Sequence, residues 1–284
     1  MRALAEYLLR GRAQATWVAV FAAAVPLLFW LSAAAVGLVT LRRGPQAGLV
    51  LLLWAALPAM GWWMLQQDPQ VLVVLVTTWG LAVILERTVS WQRTLFGGVA
   101  LATLISLTLP ALLPGLQQEL VRALGDVYRD LSPELVEQLG SRFDSALSAL
   151  VAGAFAASHL LLALVCLMLA RSWQAQLFNP GGFRREFHEL RMPPLYAGLA
   201  LLVTLVGPSL DYAAISVVPA FLVPLVIAGF ALVHGIVGKR NLGVHWLIAF
   251  YAVAIFMGPS TLFLLMIVAV VDSFINFRGR IGTE

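Results

Sequence analysis

The sequence predicts an all-α polytopic membrane protein, with about eight full transmembrane helices, an N-terminal helical hairpin and both termini on the cytoplasmic side. Three observations predict it. The 284 residues are 61% hydrophobic and only 11% charged, where soluble domains carry about 25% charged residues. The mean hydropathy is +0.91. Apolar segments follow one another from Ala13 to Ile275, and the breaks between them alternate between arginine clusters and acidic residues. A crossing takes roughly 20 apolar residues, because a helix satisfies its own backbone hydrogen bonds where water is absent. Residues 1–284 therefore read as one integral membrane domain whose first partner is the lipid bilayer. The net charge of +4 comes from arginines and a lone Lys239 at segment ends. That is the positive-inside pattern rather than a nucleic-acid patch, so no nucleic-acid partner is expected.

Residues 1–12 read as a short basic amphipathic helix at the cytoplasmic interface, with Leu4, Tyr7 and Leu8 on one side. A cleaved signal peptide is the competing reading; Arg42 and Arg43, which follow the apolar run at once, favour a retained anchor. Residues 13–41 are too long for one plain span and too short for two. Pro26 breaks them near the middle, and basic residues flank both ends. A hairpin, either re-entrant or made of two short helices, keeps both flanks on one side.

Eight spans follow in alternation. Ala47–Leu65 runs outward to Asp68, and Val71–Leu85 returns to Glu86, Arg87 and Arg93. Thr94–Leu113 runs outward, and Ala146–Ala170 returns to Arg171 and the basic loop beyond it. Leu195–Val206 goes out to Asp211, and Ala214–Val237 returns to Lys239 and Arg240. Val244–Met257 goes out to a Gly-Pro-Ser turn, and Leu262–Ile275 returns to Arg278 and Arg280. Every short basic loop falls on one side, which is taken as cytoplasmic. Trp62, Trp63, Trp91, Trp173 and Trp246 fall near segment ends, where an interfacial aromatic belt would put them.

Residues 115–146 are the one long outer stretch. Leu120, Leu124, Val127 and Leu131 recur at helical spacing, as do Leu135, Leu139, Phe143 and Leu147. Ser132-Pro133 between them reads as an N-cap followed by proline at the first helical position. Two amphipathic outer helices are expected, serving either as a lid over a cavity or as a connector resting on headgroups.

No metal-ligand spacing, nucleophile elbow, phosphate-binding glycine loop or zinc-protease motif is present, and the mid-membrane segments hold almost no acid. The expectation is a protein that is not an enzyme, with no cofactor and no metal. Four histidines lie far apart in sequence, and Cys166 is alone. The candidate ligand-binding residues are Trp63, Thr77, Thr78 and His159. His159 is the clearest ionisable group near mid-membrane, where burial is costly and function is the default reading. Its helix also carries Ala149, Gly153 and Ala157 four residues apart, a face for close helix packing.

The cytoplasmic loop 178–194 opens with an Asn-Pro-Gly-Gly turn. It continues as a short helix with Phe183, Phe187 and Leu190 on one face and charges around them. Phe183, Arg184, Arg185, Glu186 and Arg191 are candidate docking residues for a membrane-protein partner or anionic lipid. Asp272 and Asn276 share a helical face at the last membrane exit, and Arg278 or a loop arginine is the natural ion-pair partner for Asp272.

The stretches Asn179-Pro-Gly-Gly-Phe183 to Arg191 and Asp272 to Arg278 resemble the YybS-like family of bacterial predicted membrane proteins, a domain of unknown function. The resemblance covers nearly the whole chain. It implies a bacterial inner-membrane location and a distant similarity to the S components of energy-coupling-factor transporters and to the rod-shape protein MreD. By that similarity the chain is expected to be a small-molecule-binding membrane subunit that opens outward and couples to a cytoplasmic partner. The alternative is a non-transporting scaffold or assembly factor of the cell envelope. A polar pocket under the outer helices would favour the first, and a solid core of Leu, Val and Ala the second.

Overall fold

A computed structural model describes residues 2–281 and is helical throughout, with no strand among the described residues. In chain order the helices are α1 (Arg2–Arg10), α2 (Arg12–Ala24), α3 (Phe29–Arg43), α4 (Pro45–Gln66), α5 (Gln70–Thr88), α6 (Trp91–Leu112), α7 (Pro114–Leu131) and α8 (Pro133–Leu139). They continue as α9 (Phe143–Phe178), α10 (Gly182–Glu189), α11 (Pro194–Leu210), α12 (Tyr212–Lys239), α13 (Val244–Met257), α14 (Pro259–Ile275) and α15 (Phe277–Arg280).

Six helical stretches are long and apolar enough to cross a membrane: Pro26–Arg43, α4, α5, α6, Pro133–Phe178 and α12. The bent pair α10 and α11, at 59°, makes a seventh if taken as one. Three of the eight expected spans match or exceed their expected bounds yet remain short for a straight crossing. α11 and α14 have 17 residues each and α13 has 14, where a straight crossing takes roughly 20. The limits are local: Pro193-Pro194 sets the start of α11, and Gly258 at φ 56 turns the chain before Pro259.

The break at Pro26 makes two short helices. Val25 is extended, Pro26 opens a single 3-10 turn, and α3 folds back along α2. The Ser32 hydroxyl donates to the Ala19 carbonyl near the tip, 2.8 Å apart, and Arg43 donates to the Leu9 carbonyl at the base, 2.6 Å apart. α3 lies deep in the bundle. Ser32 to Thr40 are buried without exception, enclosed by α2, α4, α5 and α9. α1 turns Ala5 and Leu8 inward, whereas Tyr7, expected on the same face, points outward.

The organising element is α9. Its 36 residues span about 54 Å, more than the roughly 40–45 Å of a bilayer with its headgroups. One half of α9 packs with α1, α3 and α5, and its Cys166, Ala170 and Trp173 join the core of the N-terminal helices. The other packs with α6 and α12, and its Ala156, Leu160 and Leu164 join the second core. Gly153 lets α12 approach so closely that an added Cβ would strike the Ser216 carbonyl oxygen and the Pro219 ring. In α12, Pro224 removes the amide that would cap the Ala220 carbonyl. The helix continues through it, and the Tyr196 hydroxyl donates to the neighbouring Phe221 carbonyl at 2.8 Å.

The outer stretch differs from the expected pair of helices. α7 forms as expected, but α8 is only seven residues long. Gly140, at φ 50, ends it, a 3-10 turn follows, and Phe143 and Leu147 belong to the start of α9. Ser132 occupies the N-cap position without a side-chain bond. α7 rests on α9: Gln117 donates to the Ser148 carbonyl at 2.8 Å, and Arg129 reaches Asp144 at 3.3 Å. The aromatic belt is also revised. Trp91 and Trp173 are 7% and 0% exposed and belong to the core, while Trp246 is exposed.

Candidate functional site

The arginine-bearing helix ends meet at one end of the bundle, joined by a continuous set of hydrogen bonds. Gln174 of α9 donates to the Leu41 carbonyl of α3 at 2.9 Å and accepts from Arg171 at 2.7 Å. Arg171 makes a two-pronged pair with Glu186 of α10, its Nε 3.0 Å from Oε2 and its Nη2 closing on Oε1. The same carboxylate accepts from the Trp91 indole at 3.1 Å. Gln92 donates to the Arg191 carbonyl, and Arg191 donates to the Ser273 carbonyl at 2.7 Å. Arg278 donates to Asp272 at 2.8 Å and to the His188 carbonyl at 2.6 Å, and Lys239 donates to the Arg278 carbonyl. The stretches 179–191 and 272–278 therefore touch, through Arg278 and His188.

These bonds frame an open cleft of about 960 Å³. It is lined by Arg184, Arg185 and His188 of α10, by Lys239 of α12 and by Arg278 of α15. Gly235 and Gly238 of α12 let α10 sit down on it; an added Cβ at Gly235 would lie 2.7 Å from the His188 carbonyl oxygen. Five Arg and Lys side chains line or border this space against one lining carboxylate, Glu189, with Asp272 behind. Arg184 and Arg185 have no hydrogen-bond or ion-pair partner among the described residues. The Arg191 Nε is buried and unpartnered among them as well. α10 is too polar to enter hydrocarbon, so His188 sits outside the spans. Burial, reinforced by Arg184, His234 and Arg278, pushes its imidazole below the ordinary histidine value.

The candidate docking residues divide. Arg184, Arg185 and Arg191 line the cleft. Phe183 and Glu186 do not: Phe183 packs inward against Trp91 and Phe187, and both Glu186 oxygens are engaged by Arg171 and Trp91. Their expected docking role is replaced by holding α10 to α6 and α9.

The candidate ligand-binding residues do not surround a shared space. Trp63 lies in the last turns of α4, whereas Thr77 and Thr78 are buried in the middle of α5. Thr78 packs against Gly37 of α3. His159 donates from Nδ1 to the Phe155 carbonyl at 2.6 Å and stacks on the Phe155 ring, with Nε2 buried and unpartnered among the described residues. Around them the core is Leu, Val and Ala. At the opposite end of the bundle, a shallower recess of about 530 Å³ is lined by Ser106, Asp144, Ser148, Tyr212 and Ser216.

Sequence reasoning missed Gln92, His188 and Lys239 at the cleft and the serines of the recess. Gln92, Lys239 and the serines sit in no motif, and His188 lies within the 179–191 stretch without standing out among its charges. Lys239 stands out in sequence only as a marker of topology, and His188 and His234 approach to 6.3 Å between rings although 46 residues apart. No cluster of three metal-ligating side chains occurs among the described residues. No family model, curated protein or solved structure matches this chain.

Proposed function

We propose that this chain is a non-transporting scaffold or assembly factor of the bacterial inner membrane. In this reading it crosses about eight times after its N-terminal hairpin and holds both termini and the arginine-rich end in the cytoplasm. The observation that carries the reading is the absence of a shared space around Trp63, Thr77, Thr78 and His159, set against a packed core of Leu, Val and Ala. A capture protein needs several polar groups converging on a cavity. The working surface is then the arginine-rich end with the exposed faces of α11 and α13, and the partner is another membrane protein. The contact between the two patches that resemble the YybS-like family supports the same end of the molecule as the working one.

A second reading, a small-molecule-binding subunit resembling a transporter S component, is favoured by the serine-lined recess at the acidic end. Native mass spectrometry of the protein purified in mild detergent from its own host separates the two. A reproducible protein partner without a stoichiometric small molecule is the expected result. A stoichiometric solute lost on Ser148→Leu would overturn the scaffold in favour of the S-component reading.

A further inference from the structure

We propose that the arginine-rich cleft is a binding site for a phosphate monoester or diphosphate group, presented on a membrane lipid.

The chemistry of the walls selects the anion. Arg184 and Arg185 of α10 line the cleft with no side-chain partner among the described residues, and Lys239 of α12 commits one proton, to the Arg278 carbonyl. Arg191 keeps a buried Nε without an acceptor. A carboxylate offers two oxygens and one charge, too little for this set. A phosphate monoester carries up to two charges and three acceptor oxygens, which match several guanidinium forks together. Arg278 is not the primary ligand, because Asp272 already neutralises it and its role is to hold the back wall.

The lipid source follows from where the cleft opens. Its floor includes Met192, Pro193 and Pro194, and α11 starts at that point. Leu195, the next residue, is 85% exposed, and Leu199, Leu202 and Leu205 continue the exposed stripe along α11. A headgroup in the cleft thus has an apolar helix face beside it for its chains. Phosphates of a bilayer lie just outside the hydrocarbon, the level at which α11 leaves its polar strap. The site stands whether the chain scaffolds or captures a solute, since it is read on the purified protein with no partner present.

The test uses the full chain in mixed micelles with phosphatidic acid or phosphatidylcholine, with lipid retention read by native mass spectrometry. The wild type is expected to retain phosphatidic acid at least tenfold over phosphatidylcholine. Arg184→Gln/Arg185→Gln is expected to lose most of that preference with an unchanged melting temperature. Arg87→Gln/Arg93→Gln makes the same charge change on exposed side chains outside the cleft and is expected to keep it. Inorganic pyrophosphate serves as the soluble arm. Displacement of the lipid only at large excess supports a lipid ligand, and pyrophosphate binding as tight as that of the lipid assigns the same site to a soluble phosphate compound. Equal loss in both double variants would reduce the effect to general surface charge and overturn the site, as would no preference in the wild type.

Discussion

Arg278 grips Asp272 across the start of α15, Nη2 to Oδ2 at 2.8 Å, while its second arm holds the His188 carbonyl of α10 at 2.6 Å. One guanidinium therefore ties the last membrane exit to the loop 178–194. The Asp272 carboxylate is 3% exposed and also accepts from the Phe277 amide at 2.8 Å. Removing one partner of a buried pair leaves the other charge uncompensated, at a cost on the order of 3 kcal/mol. Asp272→Asn is expected to lower the melting temperature in detergent and to expose the 178–194 segment to protease. An unchanged melting curve would show that the pair contributes little.

Glu186 should behave as an anchor. Its pair with Arg171 is partly exposed, so its loss is smaller, about 1–2 kcal/mol. Glu186→Gln is expected to accelerate proteolytic cleavage around Asn179 to Pro193 with little change in global unfolding. If cleavage of the variant matches wild type, α10 is held by Phe183 and Phe187 alone.

The contact of α9 with α12 makes a sharper forecast. Gly153→Val puts a branched side chain against the Ser216 carbonyl and Pro219, and overpacking of this kind costs about 3 kcal/mol. Gly198→Val, on a helical glycine with open space around it, is the matched control. Size-exclusion profiles in detergent should show aggregation for the first and a wild-type peak for the second.

His188 gives the pH dependence. Its folded value lies below the unfolded value of about 6.5. Well above that pH both states are neutral and the group contributes nothing. As pH falls through about 6.5 the unfolded chain takes up the proton while the folded chain resists it, so stability declines. Arg184, His234 and Arg278 reinforce the effect of burial, with Lys239 and Glu189 also lining the cleft. In phosphate-free buffer the melting temperature is expected to fall between about pH 7.5 and pH 5.5, and less steeply in His188→Gln. Parallel curves for the two proteins would refute the assignment to His188.

Tyr196 tests the proline turn of α12. Tyr196→Phe removes the bond to the Phe221 carbonyl and keeps the stacking with Phe96 and Phe221. Interhelical bonds of this sort in membranes are worth about 0.6–1.7 kcal/mol. A loss in that range by reversible detergent unfolding is expected; a larger loss would mean that the whole turn depends on the hydroxyl.

The sequence by itself determined the class of the protein and most of its helix breaks. Length, apolar runs and charge at segment ends are local quantities, and the bilayer imposes helices wherever they are long enough. Pro26 marked a hairpin, the small residues of α9 marked a face for close helix packing, and Arg278 stood among the arginines within reach of Asp272. Depth and partnership belong to the tertiary structure. α3 reads as an end segment of the chain yet is enclosed on all sides, because four other helices pack around it. Trp91 and Trp173 read as belt residues and are core, since burial depends on which neighbour a helix face meets. The cleft unites residues from Gln92 to Arg278, separated by up to 186 positions. No periodicity within one helix encodes a meeting between the ends of four, so only the packing could bring those charges together.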